Sequence, residues 1–355
     1  HMEVEAYAKK ILALAHHYRT SDIHLMPEAG YYQIYYRLSG QMVQQFSLSV
    51  KEGESLISYL KFFANMDVGE RRRPQSGSCS LKLPDVMDLR LSTIANYRGQ
   101  ESLVIRLLAS QEEGQSRADC FFDHERQVLE DLVKYKSGLI LFAGPVDSGK
   151  TTTMYRLVKK RSASHKQQVI SIEDPVEIEE ADFLQVQVNE AGGVTYEALI
   201  KSSLRHHPDV LLVGEIRDEE TARMVIRGAL TGHLIIASVH AKDAAGVVDR
   251  LQELGISPEV LGQTLIGLAF QKLLPKYCPF CQGDCQTACN HIPADQKRAV
   301  LYDVRYGKSL QDLLAKRQGN HASQADQPRS FNHLLKKVYV YGFISQETYQ
   351  SYKIP

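Results

Sequence analysis

No stretch of this 355-residue chain is apolar for long enough to cross a bilayer, which takes about 20 consecutive residues. Its start, His1-Met2-Glu3, lacks the basic-then-apolar pattern of a secretory signal, and His1 ahead of Met2 carries no functional weight. Both absences lead to the expectation of a cytoplasmic protein, peripheral to a membrane only through a partner. A surplus of one charge is missing too. With 42 Lys and Arg against 42 Asp and Glu, no global field draws the chain to nucleic acid or anionic lipid, so no direct nucleic-acid contact is expected. The run Arg71-Arg72-Arg73 is too small a patch to reverse that. There is no secreted disulfide framework: four of the six cysteines crowd between Cys278 and Cys289 at metal-like spacing, while Cys79 and Cys120 stand alone as ordinary residues. No internal repeat is present.

What is there fits two globular domains. Residues 1–108 open with a helical pattern (Ala6, Ile11, Leu12, Leu14, Ala15). Partly alternating stretches follow at 31–38 and 87–93, then an apolar, branched run at 103–108, which together predict a small α+β domain. Residues 109–120 are polar up to Ala118 and contain Gly114, so they read as a linker. From 121 to 355 short, continuous apolar runs at 139–142, 169–172, 210–213 and 234–237 alternate with helical segments. Strands apolar on both faces belong to a parallel sheet covered by helices on each side, so this part reads as α/β. Residues 295–355 read as polar and helical, with a mobile loop over 318–329.

Gly144-Pro145-Val146-Asp147-Ser148-Gly149-Lys150-Thr151 satisfies the G-x-x-x-x-G-K-[ST] phosphate-loop pattern, with an apolar strand before it and a helical segment from Thr152 onward. Glycines allow a turn whose N–H groups face phosphate oxygens, and a helix N-terminus adds partial positive charge. Lys150 would neutralise the β- and γ-phosphates of ATP, and the Thr151 hydroxyl would ligate Mg²⁺, with Thr152 beside it. Asp147 puts a carboxylate next to a site built for anions, which argues for weak nucleotide affinity unless the side chain points away.

Two apolar strands end in acids. Glu215, after Val210-Leu211-Leu212-Val213-Gly214, would hold Mg²⁺ through water or polarise the attacking water; its bland alternative is a solvated Glu at a strand end. Glu173, in Ile172-Glu173-Asp174-Pro175-Val176-Glu177, is the candidate general base, against a simple charged turn. His233 and His240 bracket the run 234–237. They read equally as γ-phosphate or neighbour sensors and as structural histidines.

The order of these motifs resembles the secretion ATPase superfamily that powers type II secretion, type IV pili and competence pseudopili, and the likeness covers nearly the whole chain. In the first segment Ser21-Asp22-Ile23-His24-Leu25, Tyr36-Arg37-Leu38-Ser39-Gly40, Arg72-Arg73-Pro74-Gln75-Ser76-Gly77 and Asp88-Leu89-Arg90-Leu91-Ser92-Thr93, with Arg106-Leu107-Leu108, look like the family's N-terminal domain. The resemblance implies a RecA-like P-loop ATPase core with a mostly parallel sheet, preceded by a smaller α+β, PAS-like domain. It implies a homo-hexameric ring with ATP held between the two domains and a neighbour, working on an inner-membrane platform protein. It gives Glu173, Asp174 and Glu177 the Asp-box role, Glu215 the Walker B role, and His233 and His240 the His-box role. Arg90, Arg106 and Arg217 become arginines near the phosphates, where a guanidinium spreads charge onto a loose phosphoryl transition state; without the motif each would read as a surface ion pair. Two departures stand out. The family's Gly-Pro-Thr-Gly-Ser-Gly-Lys has Val146 and Asp147 here, and Ala241-Lys242 replaces the more usual Thr-Asn after His240. The chain also lacks the extra N-terminal domain of longer members. This short form with late cysteines looks like the ComG-type competence ATPases of Gram-positive bacteria, which serve DNA uptake in transformation. A low-turnover nucleotide-dependent interaction protein, or a type II secretion or pilus motor not linked to competence, are the alternatives.

Longer members of the family carry a four-cysteine zinc knuckle where Cys278, Cys281, Cys285 and Cys289 stand, within a cysteine-rich insert at 275–292. The same offsets also describe one stripe of a helix. A straight helix would spread the thiols over about 16 Å, too far for one Zn²⁺, and Pro279 and Gly283 oppose it. Zinc therefore requires the segment to fold back, with His291 able to replace one cysteine.

Overall fold

The computed structural model describes residues 4–38, 41–83, 85–108, 120–163, 166–285, 289, 291–292, 296–317 and 329–355. The expected linker up to residue 119, and the expected loop over 318–328, lie outside them. The chain divides into two compact units, His1–Ser116 with Thr287–Ala294, and Arg117–Gln286 with Asp295–Pro355.

The first unit contains α1 (Val4–His17), β1 (Asp22–Pro27), β2 (Tyr31–Leu38), β3 (Gln41–Ser49), α2 (Val50–Phe63), β4 (Gln75–Leu83), β5 (Asp85–Ala95) and β6 (Glu101–Leu108). Its six strands form one antiparallel sheet, ordered β3-β2-β1-β6-β5-β4. Ala8, Ile11 and Leu12 of α1 and Leu56, Ile57 and Leu60 of α2 pack on Ile23, Leu25, Ile34, Leu89, Leu91, Leu103 and Ile105. Alternate residues of each strand face these helices, as period-two patterning requires. Ser49 caps α2 through a reciprocal capping box with Glu52.

The second unit contains α3 (Asp123–Leu132), β7 (Gly138–Ala143), α4 (Lys150–Ser162), β8 (Val169–Glu173), β9 (Phe183–Gln187), α5 (Tyr196–Leu204), β10 (Val210–Val213), α6 (Glu219–Leu230), β11 (Leu234–Val239), α7 (Ala244–Glu253), α8 (Pro258–Thr264), β12 (Leu265–Pro275), β13 (Tyr277–Cys278), β14 (Gly283–Asp284), β15 (Arg298–Tyr306), α9 (Gly307–Arg317), α10 (Phe331–Val340) and α11 (Gln346–Tyr352). Seven strands form a sheet ordered β15-β12-β7-β11-β10-β8-β9, parallel except for the edge strand β15. Neighbouring residues on its strands belong to two different cores. Leu139, Leu141, Ile170, Ile172, Leu211, Val213 and Ile235 join α5–α10 on one face. Ile140, Phe142, Val169, Val210, Leu212 and Ile236 join α3 and α4 on the other. Burial on both faces is why these runs are continuously apolar. The fold is thus α/β with a mostly parallel sheet, preceded by a smaller α+β unit.

One expectation is corrected. Residues 295–355 are not helical throughout, because Arg298–Tyr306 form β15, paired residue by residue with β12. Seven residues of this strand in sequence, Ala299 to Arg305, are buried, a continuous run that a surface helix would not show.

Candidate active site

In a parallel sheet a ligand site forms beyond the carboxyl ends of the strands. There β7 ends at Ala143 and turns sharply at Gly144, with φ +153°. A Cβ on Gly144 would lie 2.2 Å from the Gln271 carbonyl oxygen, so no larger residue fits. The loop passes Asp147 at φ +60° and reaches Gly149, which caps α4 in the left-handed region. Asp is among the few non-glycine residues that tolerate that region, which accounts for its standing where the resembled family has glycine. Its side chain is exposed, as are Pro145 and Val146, while Thr151 and Thr152 are half-buried in the first turn of α4. Lys150 Nζ donates to the carbonyls of Gly144 and Pro145, both at 2.9 Å. Burial pushes its ammonium below the ordinary range, and the carboxylates of Glu215, Asp147 and Glu177 pull it back up. A half-buried cation at the N-terminus of a helix is what a polyphosphate needs.

Two strands away, β10 delivers Glu215. Its Oε1 lies 3.1 Å from His240 Nε2 and its Oε2 accepts from Arg217 Nε at 2.6 Å. Arg217 reaches on to Asp174 Oδ2 at 2.8 Å. His240, Glu215, Arg217 and Asp174 thus form one chain of charge-assisted contacts along the carboxyl ends of β11, β10 and β8. The Ser238 hydroxyl, inside β11, fixes the Gly214 carbonyl.

Glu173, beside Asp174, turns the other way. Its carboxylate is buried, and its Oε1 accepts from Tyr155 of α4, from Ser171 Oγ at 2.8 Å and from Gln185 Nε2 at 3.5 Å. Burial raises its pKa, and the hydrogen bonds from Tyr155, Ser171 and Gln185 partly oppose the rise.

His233 is not brought into this group. It precedes β11 at the amino end of the sheet, where its carbonyl accepts from Gly138 N, and its ring stacks on His207 with centroids 6.4 Å apart. The six residues of β11, at about 3.3 Å each, hold His233 and His240 about 20 Å apart. In the first unit Arg90 and Arg106 are direct cross-strand partners. Arg106 also pairs with Asp22, donating Nε to Oδ1 at 2.9 Å, and Asp22 pairs with Arg37. Direct partners share a sheet face. Their strand neighbours Ile23, Tyr36, Leu89, Leu91 and Ile105 face the helices, so this row occupies the face away from α1 and α2.

Gln271 is absent from the residues named by motif. It is fully buried on β12, and its Nε2 donates to the Ser148 carbonyl at 2.6 Å, tying the phosphate loop to the sheet. The available signal was the pair Gln271-Lys272 inside the otherwise apolar run 265–274.

Among its described residues the cysteine segment contains no helix. β13 and β14 form a two-stranded ribbon that turns at Gln282 with φ +57°. This brings Cys278, Cys281, Cys285 and Cys289 together, their four sulfurs all within 4.8 Å of one another. A tetrahedral ZnS₄ site has edges of about 3.8 Å, so a slight contraction of this soft donor set fits Zn²⁺. His291 Nδ1 lies 3.1 Å from Cys289 Sγ. Cys79 and Cys120 are in no disulfide.

The family model described as "Type II/IV secretion system protein" matches residues 1–343. The competence protein ComGA of Bacillus subtilis is 38% identical over 347 residues, 98% of this chain and 97% of that protein. The competence protein ComGA of Streptococcus pneumoniae is 47% identical over 274 residues, 76% of this chain and 85% of that one. Among solved structures, the Legionella pneumophila ATPase DotB superposes with a TM-score of 0.72 at 17% identity, covering 98% of this chain and 95% of that one. The pilus retraction motor PilT with bound ADP does so at 0.70 and 24%, covering 98% and 97%. At such identities the structural likeness speaks for the fold, whereas the match along the sequence reaches nearly from end to end: the chain belongs to the Type II/IV secretion system protein family.

Proposed function

We propose that this chain is a P-loop ATPase acting as a homo-hexameric motor, which powers assembly of a type IV pilus-like competence pseudopilus for DNA uptake. The observation that carries the ATPase reading is the gathering, at the carboxyl ends of parallel strands, of the loop Gly144–Thr151 and the chain His240-Glu215-Arg217-Asp174, whose Glu215 carboxylate acts on the Lys150 ammonium. The competence reading is supported by the names of the two ComGA relatives. We divide the chain into an N-terminal domain at 1–108, a linker at 109–120 and an ATPase domain at 121–355, and place its work at the cytoplasmic face of the membrane, on a platform protein.

Each residue has a task. Lys150 leaves the Gly144 and Pro145 carbonyls for the β- and γ-phosphate oxygens, joined by the loop N–H groups. Glu173 is the general base, a role that requires its carboxylate to leave Tyr155 and Ser171 and turn toward the phosphate loop. Its raised pKa makes it a better proton acceptor, and it takes the proton of the water that displaces ADP from the γ-phosphorus. The Thr151 hydroxyl and the Glu215 carboxylate are hard oxygen donors suited to Mg²⁺, which would neutralise phosphate charge when bound. His240 orients Glu215. Arg217, Arg90 and Arg106 supply guanidinium charge for the transition state, the last two from the N-terminal domain. The four cysteines would hold a structural Zn²⁺ that pins the insert and does no chemistry.

The test is steady-state ATP hydrolysis with Mg²⁺ across protein concentration, alongside Lys150→Ala and Glu215→Gln. Activity that rises with concentration and disappears in both variants supports a site completed between subunits. A wild type that binds ATP yet hydrolyses it no faster than Glu215→Gln sinks the motor reading for the isolated protein. It would favour instead a nucleotide-dependent interaction protein, the reading that Asp147 beside the loop supports.

A further inference from the structure

We propose that Gln271 is a positioning residue for nucleotide binding, setting the orientation of the Ser148–Gly149 peptide in the phosphate loop. The inference rests on the reading of that loop as the nucleotide site. A trans peptide carries its C=O and the following N–H on opposite sides. Gln271 Nε2 holds the Ser148 carbonyl toward the sheet, so the Gly149 N–H faces away from the sheet. This amide stands immediately before Lys150 and caps α4, so it is one of the donors a phosphate would meet first.

Three further observations make the contact more than incidental. The loop and β12 are fitted tightly, since the Gln271 carbonyl occupies the space a Cβ on Gly144 would need. The carboxamide is only half satisfied. Its Oε1 is buried with no hydrogen-bond partner among the described residues, and so is the Ser148 hydroxyl. A buried orphan acceptor is unfavourable, and an aliphatic side chain would fill this place at less cost, so the donor is what the site retains. Gln271 is also not alone. Its direct partner across β12 and β15 is Tyr302, whose hydroxyl lies 3.2 Å from Thr153 Oγ1 and accepts from Arg156 of α4. Two polar side chains on one buried row thus hold the loop and the helix after it, one each.

The variant that separates the donor from the packing is Gln271→Met, of nearly the same length and volume with no N–H. Binding of ADP with Mg²⁺ and the melting temperature without nucleotide would be measured for wild type, Gln271→Met and Lys150→Ala. We expect ADP affinity to fall about tenfold in Gln271→Met, the equivalent of one lost buried hydrogen bond. The nucleotide-free melting temperature should stay within about 2 °C of wild type, because loss of the donor to the Ser148 carbonyl is offset by removal of the unsatisfied Oε1. Wild-type affinity in Gln271→Met overturns the proposal, and so does a melting temperature that falls along with affinity, the mark of a merely structural role. If wild type and Lys150→Ala bind ADP equally, the loop is not the nucleotide site, and that reading fails first. A weakened Lys150→Ala beside an unaffected Gln271→Met sinks only the role of Gln271.

Discussion

β11 carries a histidine at each end, and the two ends differ in everything but residue type. At the carboxyl end His240 touches Glu215, two contacts away from Asp174. At the amino end His233 stacks on His207 and lies 3.3 Å from the Thr231 hydroxyl. The motif that joins them in sequence is separated in space by the length of the strand between. A parallel sheet puts chemistry at one end, so a residue's place in a motif says less than which end of its strand it occupies.

The largest expected effects belong to the carboxyl end. Lys150→Ala should lower ATP turnover by about 10³-fold, since under the proposed function it removes the charge that meets the transferring phosphate. Glu215→Gln should cost about 10²-fold. Activity in Lys150→Ala within tenfold of wild type would erase the distinction between the two ends. His240→Ala comes next, at about tenfold in kcat, because it orients Glu215 without replacing it. Steady-state kinetics at saturating ATP reads all three.

Tyr155→Phe tests Glu173 by direction. Burial places the Glu173 carboxyl above the ordinary carboxylate range, and the Tyr155 hydroxyl, donating to it, favours the ionised form. Removing that donor raises the pKa further. If Glu173 must be ionised to accept a proton, the acidic limb of the kcat–pH profile moves to higher pH in Tyr155→Phe, and activity at neutral pH declines modestly. An unmoved limb would show that another group takes the proton.

How far the sequence carried this picture depends on distance along the chain. The phosphate loop was legible because its strand, turn and helix are consecutive; the left-handed backbone at Asp147 was not, since the sequence showed there only a misplaced charge. The apolar runs gave the buried strands for the same local reason. β15 was missed: a polar surrounding stretch masked its apolar run, and an edge strand is defined by pairing with β12, not by its own sequence. The Gln271 contact to Ser148 spans 123 residues and the Tyr302 contact to Thr153 spans 149, so neither leaves a periodic mark. The cysteines lay between these cases. Spacing showed four ligands, but only the turn at Gln282 decides between a helical stripe and a knuckle.

His233→Ala should have the smallest effect. The ring's surroundings are His207 and Thr231, about 20 Å from the Glu215 chain by strand length, so the variant's own site keeps its geometry and ADP affinity should stay within about twofold of wild type. Turnover is the sharper reading. Were it to fall as far as in His240→Ala while ADP affinity held, direct contact with the Glu215 group would not account for it, because the length of β11 lies between them. In the proposed hexamer such an effect is expected where the amino end of β11 meets a neighbouring copy, and its dependence on protein concentration would follow that of assembly. Turnover within twofold at every concentration instead confines the chemistry to the carboxyl end and leaves His233 a packing residue of the opposite edge.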